Sequence, residues 1–199
     1  MRTCISLSTC QRSFYRWIWN LFWVSFLLFS GGDVVLVVFA FDIRPATSSS
    51  DVQAARLNLL RQAMNPLSIK QEHMLVAHNE KDEMIGFGQI RPLDETHAEL
   101  ASLFVQENYR RQGVGGMLVE RLLEKHRQES KTSKKQKVCL LTLQPTVPFY
   151  EAHGFRLATK SEREALPKAF LLEFMAGSVL SAVLQNNIVC MIKYTEDSG

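Results

Sequence analysis

A chain of 199 residues and 22.7 kDa accommodates one ordinary domain with a short extension and leaves too little for two full domains. Hydrophobic residues at 46% and charged residues at 22% are ordinary globular usage, which excludes disorder throughout and a collagen-like or low-complexity chain. The net charge of +3 sits in residues 1–32, which carry Arg2, Arg12 and Arg16 and no acid; the other 167 residues hold 20 basic and 20 acidic side chains, so the folded part lacks the excess a nucleic-acid binder needs.

Residues 1–32 read as a hydrophobic leader, with residues 33–199 as the domain. Trp17-Ile18-Trp19 and Leu21 to Phe29 form an apolar stretch holding all three tryptophans. It has the length of a signal-peptide core and falls short of the roughly 20 residues a spanning helix needs. Three readings compete: a membrane anchor meeting lipid through residues 17–30, a cleaved targeting peptide, and a hydrophobic arm packed on the domain. The anchor leads, because aromatic residues crowd an interface-like flank. The arginines lie before the apolar segment and the start is acid-free, so membrane association with a plastid or mitochondrion as destination is expected; a cytoplasmic protein is the alternative.

The domain opens at a β-branched run, Val34 to Val38, ending at Asp42-Ile43-Arg44-Pro45, which reads as a buried strand. Ser48 to Asp51 offers N-caps for a helix over Val52 to Leu60, ending before Asn65-Pro66. Met74 to His78 and Met84 to Arg91 are strands joined by a polar turn, Asn79 to Glu83. Ala98 to Val105 is apolar apart from Glu99 and Ser102 and reads as a central strand. Gly113 to Glu129 has Val114, Leu118, Val119, Leu122 and Leu123 at helical spacing. Lys131 to Lys137 is a basic linker, read as a solvated loop. A strand over Val138 to Leu143, a short helix over Pro148 to His153 stopped by Gly154, a strand over Phe155 to Thr159, a helix over Pro167 to Leu184 and a closing strand over Ile188 to Tyr194 complete the pattern.

The four cysteines, Cys4, Cys10, Cys139 and Cys190, form no C-x-x-C pair and no cluster with histidines. A disulfide framework and a zinc site are therefore not indicated, and the expectation is no metal and inert core thiols at Cys139 and Cys190.

Chemistry concentrates in Arg110-Arg111-Gln112-Gly113-Val114-Gly115-Gly116, between a strand and a helix. Glycines permit a tight turn with N–H groups facing one concavity, and the helix that follows adds its positive end, which suits a pyrophosphate. No Gly-Lys-Ser/Thr follows, so the element is not a Walker loop. A helix start with glycines used only for packing is the competing reading.

Arg110-x-x-Gly113-x-Gly115, preceded by Glu99 to Val105 as a strand, together with Tyr150-Glu151-Ala152-His153-Gly154-Phe155, resembles the GCN5-related N-acetyltransferases (the GNAT family), whose hallmarks are R/Q-x-x-G-x-G/A and Y-x-x-x-G-F. The resemblance covers about Phe41 to Phe155 and extends more loosely to the last helix and strand. It implies a mixed α/β (α+β) fold with a central, mostly antiparallel twisted sheet, helices on both faces, and acetyl-CoA inserted between splayed fourth and fifth strands.

By that resemblance, backbone groups of Leu103 and Val105 bind the pantetheine, and Arg110 with the amides of Arg111, Gln112, Gly113, Val114, Gly115 and Gly116 takes the pyrophosphate. Tyr150 meets the cofactor as the acid toward the CoA sulfur, the Leu103 amide serves the carbonyl oxygen, and Glu99 is the base. A carboxylate in an otherwise apolar strand also suggests proton affinity raised toward neutrality. The implied reaction is acetyl transfer from acetyl-CoA to an amine, on a small molecule or a protein. The alternative is a non-catalytic, membrane-tethered CoA-binding or interaction module of the same fold. The family's frequent asparagine before the tyrosine helix is replaced by Gln144-Pro145-Thr146-Val147-Pro148.

Overall fold

The computed structural model describes residues 41–62, 64–129, 136–168, 170–171 and 187–194. The hydrophobic leader, the Val34 to Val38 run and most of the basic linker lie outside these residues. So does most of the helix expected over Pro167 to Leu184.

The strands are β1 (Phe41–Pro45), β2 (Met74–Asn79), β3 (Met84–Pro92), β4 (His97–Val105), β5 (Lys137–Leu143), β6 (Arg156–Leu157) and β7 (Ile188–Tyr194), in the spatial order β1-β2-β3-β4-β5-β7-β6. The β2/β3, β3/β4, β5/β7 and β6/β7 pairs are antiparallel and the β4/β5 pair is parallel. The helices are α1 (Ser49–Arg61), α2 (Val114–Glu129), α3 (Val147–Glu151) and α4 (Lys160–Glu164).

Residues alternate between the two faces of a strand, and the sheet's two coverings follow from that alternation. On one face Met74, Val76 and Phe87 pack with Ala55 and Leu59 of α1. On the other, Gly86 and Gly88 leave room for α2: a Cβ at Gly88 would stand 3.0 Å from Leu122 Cδ1, and one at Gly86 3.3 Å from Leu118 Cδ1. The sheet is therefore covered on both sides, and β2 and β3 are buried along most of their length as central strands are.

Local signals explain most boundaries. Ser48 caps α1 by accepting from the N–H groups of Ser50 and Asp51. Gly154, at φ 80°, ends the turn after α3. The expected strand over Phe155 to Thr159 shrinks to Arg156–Leu157, because Thr159 is committed to a capping box with Glu162 that starts α4. The Thr159-x-x-Glu162 spacing is the local signal of that helix start.

Candidate active site

The β4/β5 pair runs only through His97/Lys137, Ala98/Val138 and Glu99/Cys139. Beyond that rung β5 continues beside β7 as far as Leu143/Ile188, while β4 departs. The cause lies in β4 itself. Its register with β3 shifts between Gln89/Ala101 and Phe87/Phe104, so Gly88 faces two residues, Ser102 and Leu103. Ser102 adopts φ 58°. One extra residue in a strand bends and twists it, so this bulge steers Leu103 to Val105 away from β5. The strands that the sequence places at the cofactor site, Ala98 to Val105 and Val138 to Leu143, thus form an opening that closes at Glu99.

At the open end the chain makes a compact turn. Gln106 anchors it, its N–H donating to the Ile85 carbonyl at 2.8 Å. Arg110 Nε donates to the Val105 carbonyl at 3.0 Å, so this arginine fastens the end of β4 and engages a backbone group that the family resemblance assigns to pantetheine. Gln112 Nε2 holds the Asn108 carbonyl at 2.8 Å. Arg111 at φ 62° and Gly113 at φ 83° reverse the chain into α2. The first intrahelical bond runs from the Met117 N–H to the Gly113 carbonyl at 3.0 Å. The N–H groups of Val114, Gly115 and Gly116 therefore precede the helical ladder, and Gly113 has no side chain to cap them.

The three glycines do different work. A Cβ at Gly113 would meet nothing within 4 Å, so that position faces open space. A Cβ at Gly115 would lie 3.5 Å from Val105 Cγ2 and 3.6 Å from Phe149 Cζ, and one at Gly116 would lie 3.2 Å from His153 Cε1. Gly116 thus lies close against His153, which accords with the packing reading of the glycines at that position, whereas at Gly115 a Cβ would make only ordinary contact.

Tyr150 lies at the same end of the sheet. Its ring meets Phe149 edge-on at 4.9 Å and Phe155 at 6.0 Å. Burial pushes the phenol up to about 12, partly offset by a hydrogen bond with Thr142. The Thr142 hydroxyl in turn lies 2.5 Å from that of Thr146, which donates to the Leu143 carbonyl at 2.7 Å. The Thr142 hydroxyl therefore meets Tyr150 and is itself bonded to Thr146, in the stretch where the family's asparagine is lacking.

Glu99 is buried at 4% exposure, as a residue of a central strand, and its surroundings differ from the apolar ones expected. Arg91, directly opposite on β3, donates from Nε to Glu99 Oε2 at 2.8 Å and places Nη2 2.7 Å from the same oxygen. A guanidinium in contact favours the charged carboxylate, so the argument from an apolar setting does not apply. The hairpin register that makes Arg91 its partner was not visible in the strand pattern alone.

Among the described residues no group of three or more His, Cys, Asp or Glu side chains could hold a metal ion. Cys139 and Cys190 are free and buried, and burial raises both thiols, Cys190 to about 11. Among the described residues no helix is long and apolar enough to cross a membrane.

Residues 70–157 match the family model of the acetyltransferase (GNAT) domain. No curated protein sequence matches the chain. Solved structures of the same fold include Rv2747 of Mycobacterium tuberculosis in complex with CoA, with 21% identity and a TM-score of 0.59 over 78% of this chain and 99% of that one. N-acetylglutamate synthase of Neisseria gonorrhoeae, complexed with coenzyme A and N-acetyl-glutamate, is 16% identical with a TM-score of 0.59 over 79% of this chain and 35% of that one. The ribosomal-protein-S18-alanine N-acetyltransferase of Escherichia coli is 16% identical with a TM-score of 0.55 over 80% of this chain and 97% of that one. The divergent β4 and β5, the glycine turn and the tyrosine helix all lie within residues 70–157, the part of the chain that matches the acetyltransferase (GNAT) domain.

Proposed function

We propose that this domain transfers an acetyl group from acetyl-CoA to an amine. The observation that carries the reading is the opening between β4 and β5, bounded at one end by the Glu99/Cys139 rung and at the other by the turn from Arg110 to Gly116. The residues fit the cofactor: amides of Val114 to Gly116 lie ahead of the helical ladder, and the space a Cβ would take at Gly113 is open to a phosphate. The fold neighbours crystallised with CoA support the same assignment. When bound, acetyl-CoA supplies an activated acyl group as a thioester.

The chain's own residues then have separable tasks. Arg111 to Gly116 bind pyrophosphate through backbone N–H groups, and Arg110, already bonded to Val105, fixes the start of that turn. The Leu103 amide, displaced from the β4/β5 ladder by the bulge, is the donor for the carbonyl oxygen. Tyr150, whose phenol keeps its proton to about 12, is the donor toward sulfur. Glu99 takes the ammonium proton of the acceptor, its carboxylate paired with Arg91 at 2.7 Å. The acceptor is an amine, reached from the side built by early segments such as residues 64–70.

For location the proposal is membrane association with an organelle as destination and the domain on a CoA-containing face; it rests on the sequence of residues 1–32. Protease protection of fractionated membranes, with and without detergent, tests it, and recovery of the full-length protein wholly in the soluble cytosolic fraction would overturn it.

Activity is tested by incubating the full chain with acetyl-CoA and a panel of a monoamine, a polyamine, a lysine peptide and a free peptide N-terminus, following thiol release and product mass. Acetylated product that falls sharply in Tyr150→Phe is expected. CoA binding with no product from any amine class would favour the non-catalytic module instead.

A further inference from the structure

The segment before β2 packs Ile69 into the core and is tied to the sheet by the Gln89 side chain. Residues 66–68 form a single 3-10 turn, capped where the Asn65 side chain accepts from the Leu67 N–H. Gln89, in the middle of β3, is fully buried at 0% exposure. Its Oε1 accepts from the Lys70 N–H at 3.1 Å, and its Nε2 donates to the Ser68 carbonyl at 3.0 Å. The same Nε2 lies 3.3 Å from the Ser102 hydroxyl, to which it also donates. Ser102 is the φ 58° residue of the β4 bulge, and its hydroxyl is 3.4 Å from that of Ser68.

A glutamine in a central strand is costly to bury unless its amide is satisfied, and a leucine or methionine would fill similar space without that cost. Here the contacts reach two places: the segment from Ser68 to Lys70, and the residue that bends β4. A positive φ is unfavourable for serine, so a side-chain bond that holds Ser102 in place also holds the bulge. The bulge, in turn, is what separates β4 from β5.

We propose that Gln89 is a positioning residue that locks the 66–70 segment to the β4 bulge, so that the acceptor side and the cofactor strand keep one mutual geometry. The inference rests on the reading of the β4/β5 opening as the acetyl-CoA site and of residues 64–70 as acceptor-side. Loss of the amide takes a partner from the Lys70 N–H and the Ser68 carbonyl and removes the donor to Ser102 together, so both regions loosen at once. CoA bound along β4 steadies the bulge and, through Gln89, slows opening of the segment.

The test is hydrogen exchange read by mass spectrometry on the full chain, with and without CoA, for wild type, Gln89→Met and Ser102→Gly. In Gln89→Met, exchange in residues 66–70 and in residues 101–104 should both rise by at least about fivefold, as expected for the loss of a hydrogen bond at each place, while residues 116–129 stay unchanged. Ser102→Gly tolerates the positive φ but lacks the hydroxyl link. With CoA at saturation, checked by calorimetry, it should lose the CoA-dependent protection of residues 66–70. Faster exchange confined to residues 66–70 in Gln89→Met, or CoA-dependent protection retained in Ser102→Gly, would overturn the coupling. If Gln89→Met does not fold, Ser102→Gly decides alone. Absence of CoA binding by wild type would instead sink the acetyl-CoA reading, and the exchange pattern of Gln89→Met would still decide whether the clamp exists.

Discussion

Arg91 and Glu99 form an ion pair within the β3/β4 hairpin, with two guanidinium nitrogens at 2.7 and 2.8 Å from one carboxylate oxygen and side chains only 18% and 5% exposed. Removing the arginine alone leaves a buried carboxylate without this partner. Arg91→Met should therefore destabilise the fold by about 3 kcal/mol, whereas Arg91→Met combined with Glu99→Leu should recover most of that loss. Urea denaturation of the two variants and wild type checks it; a double variant no more stable than the single one would refute the pairwise origin of the loss.

If Glu99 takes the acceptor proton, Glu99→Gln should lower turnover and flatten the acidic limb of the rate profile, since no carboxylate then needs to lose its proton. The pH dependence of kcat/KM measures this, and an acidic limb unchanged in Glu99→Gln would assign proton removal elsewhere.

The glycines of the turn should respond differently to substitution. Gly113→Ala meets no neighbour but must adopt φ 83°, a cost of roughly 1 kcal/mol. Gly115→Ala is accommodated at ordinary contact distance, while Gly115→Leu drives atoms into Val105 and Phe149. CoA titration by calorimetry should show near wild-type affinity for Gly115→Ala and at least about a tenfold loss for Gly115→Leu. Unchanged affinity in the leucine variant would remove the turn from the cofactor site.

For Tyr150 the raised phenol means that its proton is retained well above neutrality. Tyr150→Phe should lower kcat by roughly 100-fold with little change in acetyl-CoA affinity, as for a donor that matters mainly in the transition state. Steady-state kinetics together with direct binding separate the two effects, and an unchanged kcat would assign Tyr150 to packing alone.

Glu162 gives the clearest expectation for stability against pH. Arg156 at 2.5 and 2.8 Å, the Thr159 N–H at 2.9 Å and the Tyr194 hydroxyl at 2.7 Å hold its carboxyl well below the ordinary 4.5. A depressed carboxylate stabilises the fold above its unfolded value and loses that contribution as pH falls through the folded one. Wild type should lose stability between about pH 5 and pH 2, and Glu162→Gln should lose less over that window. Urea midpoints across the range test this; parallel curves would show that Glu162 contributes nothing to acid unfolding.

Alternation and helical spacing made the β2/β3 hairpin, β4, α2, β5 and β7 legible to within a residue or two, because each buries a regular apolar face. Arg110, Gly113, Gly115 and Tyr150 stand out in the sequence because their spacing forms two linked motifs. Ser102 as a bulge, Arg91 as the partner of Glu99 and Gln89 as a clamp were not. Each depends on strand register, which places together residues eight to twenty-one positions apart and leaves no local periodic trace. The divergence of β4 from β5, on which the site turns, follows from one such residue.

The most direct test is a crystal structure of the full chain with CoA. The account predicts pantetheine lying between residues 103–105 of β4 and residues 140–143 of β5, with the pyrophosphate against the N–H groups of Arg111 to Gly116 and the sulfur facing Tyr150. CoA bound elsewhere, with β4 and β5 closed on each other, would contradict it.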